Sequence, residues 1–112
     1  MTKGFVETKI FTKRWFDLGL TDDDLLVLQI YLMQNPDIGD IMEGTGGARK
    51  IRFALPDKGK SGGIRAIYVD IIKDEKVYLL LCYPKSKQDN LTDEQKKQLK
   101  ALIKAIKEDS HG

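Results

Sequence analysis

An α+β domain, with a helical hairpin before an antiparallel sheet and one helix after it, follows from three features of this 112-residue chain. Residues 21 to 34 carry apolar side chains at three- and four-residue spacing, and residues 50 to 83 hold short stretches that alternate with period two. The segments joining those stretches are too short for parallel crossovers, which need a dozen or more residues. The length suits one core, so residues 1–112 are read as a single domain.

Phe5 to Ile10 is rich in β-formers and predicts a short first strand. Phe11 to Leu18 then predicts a helix that turns Trp15 and Leu18 inward and is closed by Gly19. Thr21 before Asp22, Asp23 and Asp24 is an N-cap, with Asp24 in the reciprocal position of a capping box. The helix it starts carries Leu25, Leu28 and Leu32 on one side and ends at Asn35-Pro36. The two helices form an αα-hairpin. Gly44-Thr45-Gly46-Gly47 is a turn, and three strands follow: Lys50–Leu55, Gly63–Ile71 and Lys76–Tyr83. Thr92 caps a last helix, with Leu99, Leu102, Ile103 and Ile106 apolar and its lysines on a solvated face. The order β-α-α-β-β-β-α places the helices on one face of the sheet.

Composition excludes several classes of function. No apolar run approaches the roughly 20 residues of a bilayer span, and Lys3, Glu7 and Lys9 interrupt any apolar region of a secretory signal, so a cytoplasmic protein is expected, with no membrane partner. Cys82 has no second cysteine with which to pair, and no Cys/His cluster is present to hold zinc. It reads as a buried strand residue. The one histidine, His111, lies in the tail, which leaves no ordered imidazole for acid-base work or for activating a nucleophile. Gly59-Lys60-Ser61 ends like a phosphate-binding P-loop, but Ala54 stands where the first glycine belongs. Arg49 likewise breaks a dinucleotide-binding reading of the Gly44 turn.

Charge is segregated along the chain. Residues 1–43 carry four basic and eight acidic side chains, residues 44–87 ten and four, and residues 88–112 five and five. The cationic middle contains Arg49, Lys50, Arg52, Lys58, Lys60, Arg65, Lys85 and Lys87, interleaved with Tyr68 and Tyr83. Alternation puts Lys50 and Arg52 on one strand face, and places Arg65 on a face that is otherwise partly apolar. Such a set suits phosphoryl chemistry. Arginine and lysine can stabilise the extra charge on a phosphorane, and a lysine crowded by other cations, or less readily a tyrosine, can take up the proton of a 2′-hydroxyl. With the RNA's own 2′-hydroxyl as nucleophile, neither metal nor cofactor is required.

Taken in order, Phe5-Val6-Glu7-Thr8-Lys9-Ile10-Phe11, Leu25-Leu26-Val27-Leu28-Gln29, Asn35-Pro36-Asp37-Ile38-Gly39-Asp40, Gly44 to Arg52, Gly59 to Tyr68 and Tyr83-Pro84-Lys85 resemble the HigB-like branch of the RelE toxins, over nearly the whole chain. The most specific part is Gly59-Lys60-Ser61-Gly62-Gly63-Ile64-Arg65 following Arg49-Lys50-Ile51-Arg52. The resemblance implies a compact RelE fold and a type II toxin that cleaves mRNA in the ribosomal A site. It also implies a cognate antitoxin carrying a helix-turn-helix DNA-binding domain. By position, Arg65 corresponds to the arginine that contacts the scissile phosphate. Lys50 and Arg52 correspond to basic residues of the preceding strand, Lys60 to the basic loop, and Lys85 to the residue after the last strand. Arg49, Lys58 and Lys87 are expected to bind RNA or the ribosome. Some members carry a tyrosine after the last strand. Residues 88–92 hold none here, so Lys60, Lys85 and Tyr83 all stand as candidates for the general base. Two alternatives share the fold: a non-catalytic nucleic-acid-binding module, and an inactive toxin whose basic residues only hold an acidic antitoxin.

Overall fold

The computed structural model describes residues 4–54, 63–88 and 90–109. Strand β1 (Gly4–Glu7) gives way to helix α1 (Lys9–Asp17) at Thr8. Thr8 completes the ladder by donating its N–H to Leu79 O, while its hydroxyl accepts from Phe11 N at 3.0 Å and donates to Leu80 O at 2.9 Å. The first strand is therefore shorter than the run of β-formers suggests, because a threonine hydroxyl caps a helix there. Gly19, at φ +81°, closes α1 as its sequence position predicts. Helix α2 (Asp22–Gln34) begins with the full capping box, Thr21 Oγ1 accepting from Asp24 N and Asp24 Oδ2 from Thr21 N. The Trp15 indole N–H donates to Thr21 O at 3.0 Å, which ties α1 to the start of α2.

Beyond α2 lies β2 (Asp40–Ile41), a two-residue strand that periodicity is too short to reveal, and then β3 (Arg49–Phe53), β4 (Ile64–Ile71) and β5 (Lys76–Pro84). Between β2 and β3, Thr45 Oγ donates to Met42 O and accepts from Ala48 N, while Gly44, Gly46 and Gly47 take positive φ. Gly39 must be glycine, since a Cβ there would lie 2.8 Å from Ile51 Cγ2 and 3.0 Å from Lys50 O. A 3-10 turn, Ile72–Asp74, joins β4 to β5, and helix α3 (Asp93–Asp109) completes the described elements.

The strand order is β1-β5-β4-β3-β2. Strands β2 to β5 pair antiparallel, as short connections require, but β1 lies parallel to β5. The sheet is therefore mixed. The intervening chain includes α1 and α2, long enough to carry β1 back alongside β5 in the same direction. The expected grouping of helices on one face is also corrected. Phe11, Trp15, Leu25, Leu28 and Leu32 from α1 and α2 pack on Ile51, Phe53, Ala66, Tyr68 and Leu79. Leu99 and Ile103 from α3 pack on the other face, against Ala48, Ile67, Val69, Leu80, Leu81 and Tyr83. With both faces covered, β4 is buried at every position but Asp70, which explains its poor alternation.

One irregularity positions the site. Ile67 pairs with Leu81 while Tyr68 pairs with Leu79, so Leu80 is an extra residue on β5. Leu80 and Leu81 consequently both pack on the α3 side. Every residue of β5 after the bulge changes face relative to the alternation set by Val77 and Leu79.

Candidate nucleic-acid interface

Register brings three of the sequence-selected residues into one row across the sheet. Arg52 pairs with Arg65, and Arg65 pairs with Tyr83. Residues directly opposite on neighbouring strands share a face. In the next row Lys50 pairs with Ile67 and Ile67 with Leu81, which puts Lys50 on the same face as Arg52. Arg65 is 4% exposed and Tyr83 2%, whereas Arg52 is open to solvent. The row thus has a charged floor at β4 and a charged rim at β3. Two cations directly opposite each other repel, so the row favours an anion bound over it.

Lys85 follows the row in the exposed turn after β5, held by its own N–H donating to Gly63 O at 3.3 Å. Lys50 Nζ reaches Asn90 Oδ1 at 3.5 Å. The candidates Lys58 and Lys60 lie outside the described residues.

Two other selected residues go elsewhere. Arg49 shares a row with Tyr68 and faces α1 and α2. Its Nη1 donates to Gly39 O at 2.7 Å and Asp37 O at 3.2 Å, and its Nη2 lies 3.7 Å from Asp37 Oδ1. It anchors the loop that leads into β2, a geometry that adjacency to Lys50 in sequence does not reveal. Lys87 lines a cleft of about 370 Å³ on the α1 side, with Arg14, Leu18, Cys82 and Pro84.

Buried titratable groups near the row serve the fold. The Tyr68 hydroxyl donates to Pro36 O at 2.8 Å and accepts from Gly39 N at 3.1 Å, and its burial raises its pKa above the usual 10.0. The Cys82 thiol donates to Phe11 O at 3.7 Å. Burial pushes it from 9.0 up to about 12, so it stays neutral and unreactive at physiological pH. Sequence reasoning passed over Asn90, which no basic or aromatic pattern marks; only the chain's return from β5 to α3 brings it to Lys50.

The fold has solved counterparts. An arginine-to-alanine double mutant of E. coli toxin RelE in the free state superposes with a TM-score of 0.57 at 17% identity, over 80% of this chain and 90% of that one. A chain of the intact E. coli RelBE toxin-antitoxin complex matches with a TM-score of 0.54 at 17% identity, over 72% and 94%. The model of the family described as the RelE toxin of the RelE/RelB toxin-antitoxin system matches residues 7–111. With nearly its whole length matched by that model, and with a mixed five-stranded sheet built as in RelE, this chain belongs to the RelE toxin family.

Proposed function

We propose that the protein is the toxin of a type II toxin-antitoxin pair and acts as a ribosome-dependent mRNA endonuclease, cutting translated mRNA in the ribosomal A site. The observation that carries this reading is the cross-strand row Arg52–Arg65–Tyr83 with Lys50 beside it. In that reading the scissile phosphate lies over the row. Arg52 at the rim and Arg65 at the floor both supply positive charge where the phosphorane gains its extra negative charge, Arg65 from a buried position. Held in a poorly hydrated position, such a group stabilises a transition state more than it would in water. The 2′-hydroxyl of the RNA attacks the adjacent phosphorus, its proton passes to a base drawn from Lys60, Lys85 and Tyr83, and the 5′-oxygen leaves. A cognate antitoxin is part of the proposal, supported by the E. coli toxin's occurrence in a RelBE complex. A cationic surface of this kind is readily masked by an acidic or amphipathic segment that folds onto it.

The test is induced expression of wild type, Arg52→Gln and Arg65→Lys, with mRNA 5′-end mapping and ribosome co-sedimentation from the same cultures. Growth arrest and cuts within codons by wild type, lost in both variants while ribosome binding survives, support the reading. Parallel loss of cutting and ribosome binding favours a simple binding module. Harmless wild-type expression without cuts points to an inactive toxin.

A further inference from the structure

Helix α3 carries all five of its lysines on one flank. At 3.6 residues per turn, Lys96, Lys97, Lys100, Lys104 and Lys107 fall within one arc of about 100°. That arc adjoins the stripe of Leu99 and Ile103 that packs on the sheet. The opposite flank carries Gln95, Gln98 and Leu102, which line a cleft toward Ile10 and Arg14 of α1. Asp93 falls within the same arc and Glu108 at its edge, so the flank carries five positive and two negative charges and keeps a net positive charge of three. The basic flank faces the turn between β2 and β3, where Lys100, Lys104 and Lys107 surround Gly46.

The flank is continuous with the candidate cleavage site. Lys96 lines one cleft with Lys50 and Asn90, and Lys50 shares its strand face with Arg52. Positive charge therefore runs from Arg65 and Arg52 through Lys50 to Lys96 and on along α3, for about 16 Å from Lys96 to Lys107 at 1.5 Å per residue. Asp40 and Glu43 also line the cleft at Lys50. A polyanion passing there is pushed off the β2 wall and toward the lysines.

We propose that this flank is a track for the single-stranded RNA that the site cuts, holding the phosphates of nucleotides to one side of the scissile bond. The inference rests on the endonuclease reading for its direction, since the track begins at the cross-strand row. Its spacing suits a strand: lysines one turn apart repeat every 5.4 Å, close to the interval between successive phosphates of an extended chain.

The experiment compares fluorescence anisotropy of 2′-O-methyl RNA probes of about 4 and about 12 nucleotides across a salt series, the shorter covering the row and the longer reaching on along α3. Wild type is expected to bind the longer probe at least ~10-fold more tightly. Lys100→Glu with Lys104→Glu, two exposed helix positions where both residues are good helix formers, should abolish that advantage. It should also lower the salt slope by roughly 1.4, about 0.7 per phosphate contact. The control, Lys73→Glu in the β4–β5 turn with Lys76→Glu at the start of β5, both exposed and neither lining the clefts at Lys50 or Gly46, changes net charge equally and should keep the advantage. Length-independent binding by wild type overturns the track, as does an unchanged lysine variant or an equal loss in the control. A larger loss on an RNA duplex than on the single strand assigns the flank to structured RNA and also overturns it. Because the probes cannot be cleaved, a failed track leaves the 5′-end mapping intact, and absence of cuts leaves the anisotropy result standing.

Discussion

Arg52 and Arg65 sit opposite each other, yet one is exposed and the other buried, and that difference separates what their substitution does. Arg52→Gln removes a repulsion between facing cations. Stability should stay level or rise by about 0.2–1 kcal/mol, while cleavage falls on the order of 100-fold, as for loss of one transition-state donor. Thermal unfolding and a cleavage assay on the same preparation measure the two effects, and a variant that loses both together shows Arg52 to be structural. Cys82 behaves oppositely. Its thiol should resist alkylation in the native protein at pH 8 and react once denaturant is added. Its folded pKa is raised from 9.0 to about 12, so its contribution to stability is fully present below about pH 9 and is lost as pH rises toward 12. Tyr68, raised by burial as well, adds to the alkaline loss. Urea midpoints that stay flat between pH 9 and 11 would contradict this.

Among the elements, two threonines start two helices with different consequences. Thr21 caps α2 at the surface, and Thr21→Ala should cost about 1 kcal/mol. Thr8 caps α1 and also binds Leu80 O, at the extra residue of β5. Thr8→Ala removes two hydrogen bonds, one of them holding the bulge, and should cost about 2 kcal/mol. Serine at position 8 should recover most of it. Chemical denaturation of the three variants tests the ordering, and an equal cost for both alanines would show that the bond to Leu80 contributes nothing. The bulge itself matters beyond stability. It turns Tyr83 to the face that Arg65 occupies, so the site depends on one inserted residue of a strand otherwise occupied with packing.

Two apolar cores lie on opposite faces of one sheet, and adjacent residues of β4 alternate between them. Neither core can dissolve without disturbing strands that the other needs, so the molecule should unfold in one transition. Trp15, the chain's single tryptophan, reports the α1/α2 core. Ile103 belongs to the other. Ile103→Ala should cost roughly 2–5 kcal/mol and shift the midpoint seen by Trp15 fluorescence as far as that seen by circular dichroism. Separate midpoints would mean that α3 detaches by itself.

Local chemistry made much of this legible in one dimension. The Thr21 capping box, the glycine after α1, the proline after α2, the alternation of β3 and the lone buried cysteine each act through neighbours within a few residues, so their patterns survive in the sequence. Lys50 and Arg52 were selectable because period-two alternation puts both on one face of β3, and Arg65 because a cation on a largely apolar strand stands out. What pairs with what was not legible. The parallel seating of β1, the division of helices between two faces, the departure of Arg49 to the Asp37 loop and the meeting of Lys50 with Asn90 join residues far apart in the chain. Their energies come from packing and register that no short window contains. Tyr83 shows the limit most clearly: strict alternation from Val77 would turn it toward α1 and α2, and only the register shift at Leu80, set by both cores at once, places it beside Arg65.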